Sequence, residues 1–185
     1  LSEQPNLLSL ICTFIKHAKS MEATPSILQE KAKSFESDRA KVFLKVILPI
    51  LDSYKKYLEK RRSLDFEDLI SKARQYIDQG RHVHGYRLII VDEFQDISQG
   101  RGRMLKSLLD QNQDCKLTAV GDDWQAIYRF AGSDIDIMTN FSKYFGVTEE
   151  LFLSHTFRCH QGIATVGSKF IMENKSQSKK TVVSH

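Results

Sequence analysis

Cysteine is scarce in this chain. The three present, Cys12, Cys115 and Cys159, are odd in number and widely separated. They form no metal-binding motif and no disulfide framework, and a reducing cytoplasm is the natural compartment for such a chain. Long apolar runs are lacking too. No stretch approaches the ~20 residues that span a bilayer, so no membrane partner is expected. No secretory signal peptide is visible. Neither sign of charge dominates: 27 Lys and Arg stand against 23 Asp and Glu, a formal charge of +4. That balance permits nucleic-acid binding without demonstrating it, because a solvated lysine-rich face gives the same number. Glycine is sparse, with 9 residues, and none is followed by lysine, so the chain holds no GxxxxGK(S/T) phosphate-binding loop. Internal repeats are absent.

What is present fits a folded chain of one domain or two small ones, with 41% hydrophobic and 27% charged residues. The first eighty residues read as helical. Residues 3–19 place Leu7, Leu8, Ile11, Phe14 and Ile15 on one side. Thr24 and Pro25 open a second helix, since proline suits the first helical position. Residues 35–61 form the longest periodic segment, with Phe43, Ile47, Leu51, Tyr54 and Leu58 as its apolar stripe. Pro49 is expected to kink or divide it. Its polar side carries Lys41, Lys45, Lys55, Lys56, Lys60, Arg61 and Arg62, which reads more simply as a solvated face than as a phosphate track. Asp65 caps a further helix whose buried face is Phe66, Leu69, Ile70, Ala73 and Ile77, and Gly80 ends it.

Beyond residue 80, strands alternate with helices, the pattern of a mostly parallel α/β sheet, with more helix than strand overall. Strands are expected at about 87–92, 116–121 and 149–154. Helices are expected at 99–111 and 161–174, with short helices over 124–145. The tail from Lys175 is polar and reads as a linker or as the start of a strand at Thr181–Val183.

Two segments carry the chemistry. In Leu88–Asp96, LIIVDEFQD, an apolar run ends abruptly in Asp92 and Glu93. This is the form of a buried strand that delivers acids at its carboxyl end, where ligands bind open α/β sheets. A solvated acidic turn is the plain alternative. In Leu117–Gly132, LTAVGDDWQAIYRFAG, a second apolar run ends in glycine and two acids. Trp124, Gln125, Tyr128, Arg129 and Phe130 then crowd into seven residues. A glutamine there can touch both a terminal phosphate and an attacking water. Exposed rings can stack on unpaired bases, and Arg129 between them can contact a phosphate. The competing account is a short helix with its aromatics in the core.

DEFQD followed by GDDWQAIYRFAG resembles motifs II and III of the UvrD/Rep-like superfamily 1 DNA helicases. LSHTFRC, Leu153–Cys159, is similar to motif IV, with Phe157-Arg158 where the family usually has Tyr-Arg. DFEDLI, Asp65–Ile70, resembles the segment before motif II. Four motifs in order cover roughly residues 64–175; residues 1–63 carry none. The resemblance implies a RecA-like (P-loop NTPase) core that uses ATP and Mg²⁺ and acts on single-stranded and duplex DNA. It implies movement in the 3′-to-5′ direction. It assigns Asp92 to Mg²⁺, Glu93 to general-base catalysis, and Gln125 and Arg158 to the γ-phosphate. Phe157 falls at the adenine-stacking position, Tyr128 and Phe130 at base-stacking positions. Gln95 and Asp96 complete motif II and are placed to link it to motif III. Trp124 stands where many members have another residue, as a core or nucleotide-side group.

Because the phosphate-binding loop and the last motifs are missing, the resemblance implies a central piece of such an enzyme. Residues 1–63 would be part of a helical insertion, 64–148 the second half of the first core, and 149–185 the start of the second. In the family's core the motif III strand lies between the motif II strand and the phosphate-loop strand. Without the latter it would carry an unpaired edge, open to self-association. Three readings follow: part of an ATP-driven helicase, a non-catalytic single-stranded-DNA-binding module, or a piece inert alone. Two intact acid pairs favour the first for the parent protein, since a DNA-only module needs neither.

Overall fold

The computed structural model describes residues 5–34, 37–175 and 177–184. The expectations for residues 3–4, 35–36 and His185 lie outside them. Four helices come first: α1 (Pro5–Ser20), α2 (Pro25–Ser34), α3 (Asp38–Arg61) and α4 (Phe66–Asp78). Each start has a local cause. Pro25 occupies the first position of α2, where its missing N–H is not needed. Ser37 accepts from the Ala40 N–H at the head of α3. Asp65 and Asp68 exchange side-chain and backbone hydrogen bonds in a capping box at the head of α4. Gln79 caps the end of α4, and Gly80 follows in the left-handed region at φ +68°.

Pro49 does not divide α3. Removing its N–H frees the carbonyl of Lys45, and both residues lie on the exposed face, where such an oxygen is cheap to leave to solvent. Leu44, Ile47 and Leu51 form the buried stripe of α3. Ile47 packs with Ala32, Leu44 and Phe14, and Phe14 meets Phe43 edge-on. The expected inner face of α4 is only partly right. Ile77 is buried, but Phe66 and Leu69 are exposed. The helix is turned by its ion pairs: Lys19 of α1 binds Asp65 and Asp68, and Glu22 binds Arg74.

The second half alternates. β1 (Leu88–Val91), α5 (Gln99–Gln111) and β2 (Lys116–Ala119) are followed by the short α6 (Ile135–Thr139) and α7 (Phe141–Phe145). β1 and β2 pair in parallel, Leu88 with Lys116 through Val91 with Ala119. Ile89, Val91 and Ala119 pack on a core of Phe94, Ile97, Leu105 and Ile137. The strand is not buried on both faces as its apolar run suggested. Ile90 is 66% exposed, because helices cover only one side of this two-stranded sheet among the described residues. β2 has no further partner strand there, so its outer edge is open.

The last elements are β3 (His155–Thr156), α8 (Gln161–Met172) and β4 (Val183–Ser184), with β3 and β4 parallel. The strand expected at 149–154 is absent. Leu151, Phe152 and Leu153 are exposed and pair with no strand, and pairing starts only at His155. No described helix is long and apolar enough to cross a membrane.

Candidate functional site

The two acidic segments meet because β1 and β2 are adjacent, parallel and in register. Their carboxyl ends therefore open side by side. The backbone continues the pairing past the strands: Val120 donates to the Val91 carbonyl at 2.8 Å, and Phe94 donates to the Val120 carbonyl at 2.9 Å. Gly121 passes directly over motif II. A Cβ there would lie 2.7 Å from Gln95 Oε1 and 3.0 Å from the Phe94 nitrogen, so only glycine fits.

Asp92 and Glu93 are both exposed at this rim. Glu93 takes the left-handed region at φ +50°, unusual for a side-chain-bearing residue and costing of order 1–3 kcal/mol. The turn is held on both sides. The Glu93 N–H donates to Asp92 Oδ1 at 2.8 Å, and Phe94–Asp96 form a 3₁₀ turn whose Phe94 side chain is fully buried.

A polar chain then runs from one motif to the other. Buried Gln95 donates from Nε2 to Glu93 Oε2 at 2.6 Å, and its Oε1 accepts from the Asp122 N–H at 3.0 Å. Asp122 in turn accepts from Gln125 Nε2 at 2.7 Å and from Lys180. Burial pushes the Asp122 carboxyl up, but the hydrogen bonds from Gln125 and Lys180 outweigh it and hold it below the usual carboxylate range.

The aromatic segment lies beyond. Tyr128 and Phe130 are 46% and 71% exposed, their ring centroids 5.9 Å apart. Arg129 between them is exposed. The Phe130 carbonyl meets His17 Nε2 of α1 at 3.2 Å, which seats the segment against the first helix. A shallow groove of about 530 Å³ lies there, lined by Leu10, Phe14, His17, Arg129 and Phe130. Trp124 is half-buried and donates to the Ser178 carbonyl at 2.9 Å.

Phe157 and Arg158 directly follow β3 (His155–Thr156) in the chain. Both are exposed, and no hydrogen bond or ion pair joins the Arg158 guanidinium to Asp92 or Glu93 among the described residues. Sequence reasoning passed over Lys180 and His17, and read Asp123 only as one of an acid pair. Lys180 sits in a polar tail that reads as linker, and neither periodicity nor spacing marks it as a partner of residues 58 positions earlier.

The donor set suits Mg²⁺. Among the described residues no three His, Cys, Asp or Glu gather into a cage. Mg²⁺ is usually held by one or two carboxylates, the rest of its shell being water and phosphate oxygens. Asp92, exposed at the rim, offers such a carboxylate. Beside it a cleft of about 410 Å³ is mostly apolar, lined by Ile70, Phe94, Ile97, Met104 and Leu105, with Asp92, Glu93, Asp96 and Arg101 as its charged members; Asp96 Oδ1 is buried without a hydrogen-bond partner among the described residues. A buried acceptor of that kind calls for water or a ligand.

Comparison with known proteins accounts for the pattern. Residues 2–146 match the family described as UvrD/REP helicase N-terminal domain. The chain is 41% identical over 137 residues to DNA helicase IV of Escherichia coli, covering 74% of this chain and 20% of that protein. It is 31% identical over 134 residues to the probable DNA helicase II homolog of Mycoplasma capricolum, covering 70% and 18%. It is 30% identical over 142 residues to the ATP-dependent DNA helicase PcrA of Bacillus subtilis, covering 74% and 19%. The chain thus spans about a fifth of the length of these relatives.

Proposed function

The chain belongs to the UvrD/REP helicase family, and on that premise we propose that it forms the motif II to motif IV part of an ATP-dependent DNA helicase. The protein translocates 3′-to-5′ on single-stranded DNA and unwinds duplex DNA at the expense of ATP. Residues 1–63 belong to a helical insertion, 64–148 to the first RecA-like core and 149–185 to the start of the second. The observation that carries the reading is the polar chain Glu93–Gln95–Asp122–Gln125 at the carboxyl ends of two parallel strands.

In this reading Asp92 holds Mg²⁺, which neutralises phosphate charge when it is bound with ATP. Glu93 accepts the proton of the attacking water. Its exposure leaves one carboxylate oxygen available, while the other is held by Gln95. Gln125 faces the terminal phosphate and the water. Arg158 reaches the γ-phosphate when the two cores close, its fork matching phosphate oxygens. Phe157 stacks on adenine. Tyr128 and Phe130 stack on DNA bases, with Arg129 on a neighbouring phosphate. The exposure of both rings favours this role over core packing. The phosphate cradle itself comes from outside this chain, which has no such loop.

The test is Glu93→Gln in the full-length protein. Gln keeps the shape but takes no proton. DNA-stimulated phosphate release should fall by ~10²–10⁴-fold while ATP binding persists. Near-normal turnover would move the base elsewhere and defeat the assignment.

A further inference from the structure

Residues 177–180 follow Arg158 in the chain and fold back onto residues 122–124. Asp123 is 2% exposed and its carboxylate is fully engaged. It accepts from the Ser178 N–H at 2.6 Å and from Lys180 Nζ at 2.7 Å, and its carbonyl accepts from Gln177 Nε2 at 3.1 Å. Lys180 also pairs with Asp122 and lies 4.9 Å from the Trp124 ring centroid. One ammonium thus bridges two adjacent carboxylates and covers an indole whose N–H is tied to the same segment. Its neighbour Lys179 is exposed and makes no ion pair among the described residues.

We propose that Lys180 is a positioning residue for Gln125: its ammonium fixes the Asp122 carboxylate, which fixes the Gln125 amide, so the segment downstream of Arg158 sets how Gln125 presents itself. An ionised carboxylate only accepts. Gln125 must therefore turn Nε2 to Asp122 and leave Oε1 outward. An outward oxygen takes a hydrogen bond from an attacking water; an outward amide N–H₂ cannot. Lys180 and the Trp124 backbone N–H anchor Asp122 Oδ1, leaving Oδ2 for Gln125. Without the ammonium the carboxylate loses its charged anchor, and Asp123 keeps a buried charge with no counter-ion. The inference rests on the reading of Gln125 given above.

Two measurements test it. In the full-length protein, Lys180→Met should lower kcat for DNA-stimulated ATP hydrolysis about tenfold with KM for ATP within about twofold, the mark of an interaction felt in the transition state. Lys180→Arg should recover most of the rate, and Lys179→Met should change nothing. In a Gln125→Ala background, Lys180→Met should add no further loss, because both act through one amide. In the 185-residue chain, Trp124 is the only tryptophan. Its fluorescence should become more accessible to acrylamide in Lys180→Met and stay shielded in Lys180→Arg. Undiminished kcat in Lys180→Met, or losses that multiply with Gln125→Ala, would overturn the proposal. If the unaltered protein shows no stimulated turnover, the catalytic reading fails instead. Trp124 quenching then decides alone: greater accessibility in Lys180→Met supports the hold of Lys180 on residues 122–124, and unchanged accessibility removes it.

Discussion

At Gly121 a methyl group would have nowhere to go. Its Cβ would press on Gln95 and on the backbone of Phe94, neither of which can retreat from a buried turn. Gly121→Ala should therefore cost about 1–3 kcal/mol of stability, as overpacking does, and break the Gln95–Asp122 hydrogen bond. Chemical denaturation measures the first; an unchanged midpoint would mean the turn is softer than its contacts indicate. Tyr54 offers a second test at this scale. Burial and a hydrogen bond to Asp65 push its hydroxyl up to about 12. A group raised above its unfolded value of ~10 stabilises the fold while protonated, so that contribution is whole below pH ~10 and lost as pH rises through the folded value. Tyrosinate absorbance should show a last phase near 12 that vanishes in Tyr54→Phe and moves down in Asp65→Asn. A single phase near the ordinary value for all six tyrosines would exclude this. Gly121 was legible in the sequence as the glycine of a motif. The Tyr54–Asp65–Lys19 cluster was not, since its members lie on three helices and meet only after packing.

Among the elements, the sequence was most legible where the cause is local. α5 spans the 99–111 that its apolar period predicts, and β1 and β2 fall within a residue or two of their apolar runs. Legibility failed where a neighbour decides. Leu151–Leu153 has strand composition but no partner strand, and α4 turns Phe66 outward because its ion pairs set its rotation. Pairing and rotation belong to the assembled fold and leave no mark on a single segment. The aromatic segment after Gln125 was open in sequence between core and surface, and its observed exposure shapes the expected outcome. Tyr128→Ala and Phe130→Ala should each weaken single-stranded DNA binding by roughly 1–3 kcal/mol. Melting temperature and ATP affinity should stay near their unaltered values, because exposed rings leave no cavity. A buried ring would cost about 3–5 kcal/mol of stability instead. Intact DNA affinity with a lowered melting temperature would return these rings to a structural role.

At the scale of the whole molecule, the parts present and the parts missing divide the chemistry. The chain brings Asp92, Glu93 and Gln125 to one sheet rim, and the aromatic segment follows directly in sequence. It holds no glycine-lysine phosphate loop, and no ion pair among the described residues joins Arg158 to Asp92 or Glu93. Phosphoryl transfer depends on holding the phosphates and neutralising their charge as the bond breaks, so Glu93 and Gln125 alone have little to act on. The 185-residue chain should therefore release no phosphate from ATP above background, with or without single-stranded DNA and Mg²⁺. The decisive control is Glu93→Gln in the same chain, purified alongside. Stimulated turnover that survives repurification and disappears in that variant would show that motifs II and III suffice. Turnover indifferent to Glu93 would come from a contaminant. The same geometry predicts where activity returns. Under the proposed reading, the preceding part of the first core supplied in trans would add a phosphate cradle and a strand beside the open edge of β2, and a pairing at that edge would set the cradle against Asp92. Restored hydrolysis that depends on both Glu93 and Lys180 would mark that reassembly as native, whereas restored hydrolysis insensitive to either would mean that the added part brings its own site.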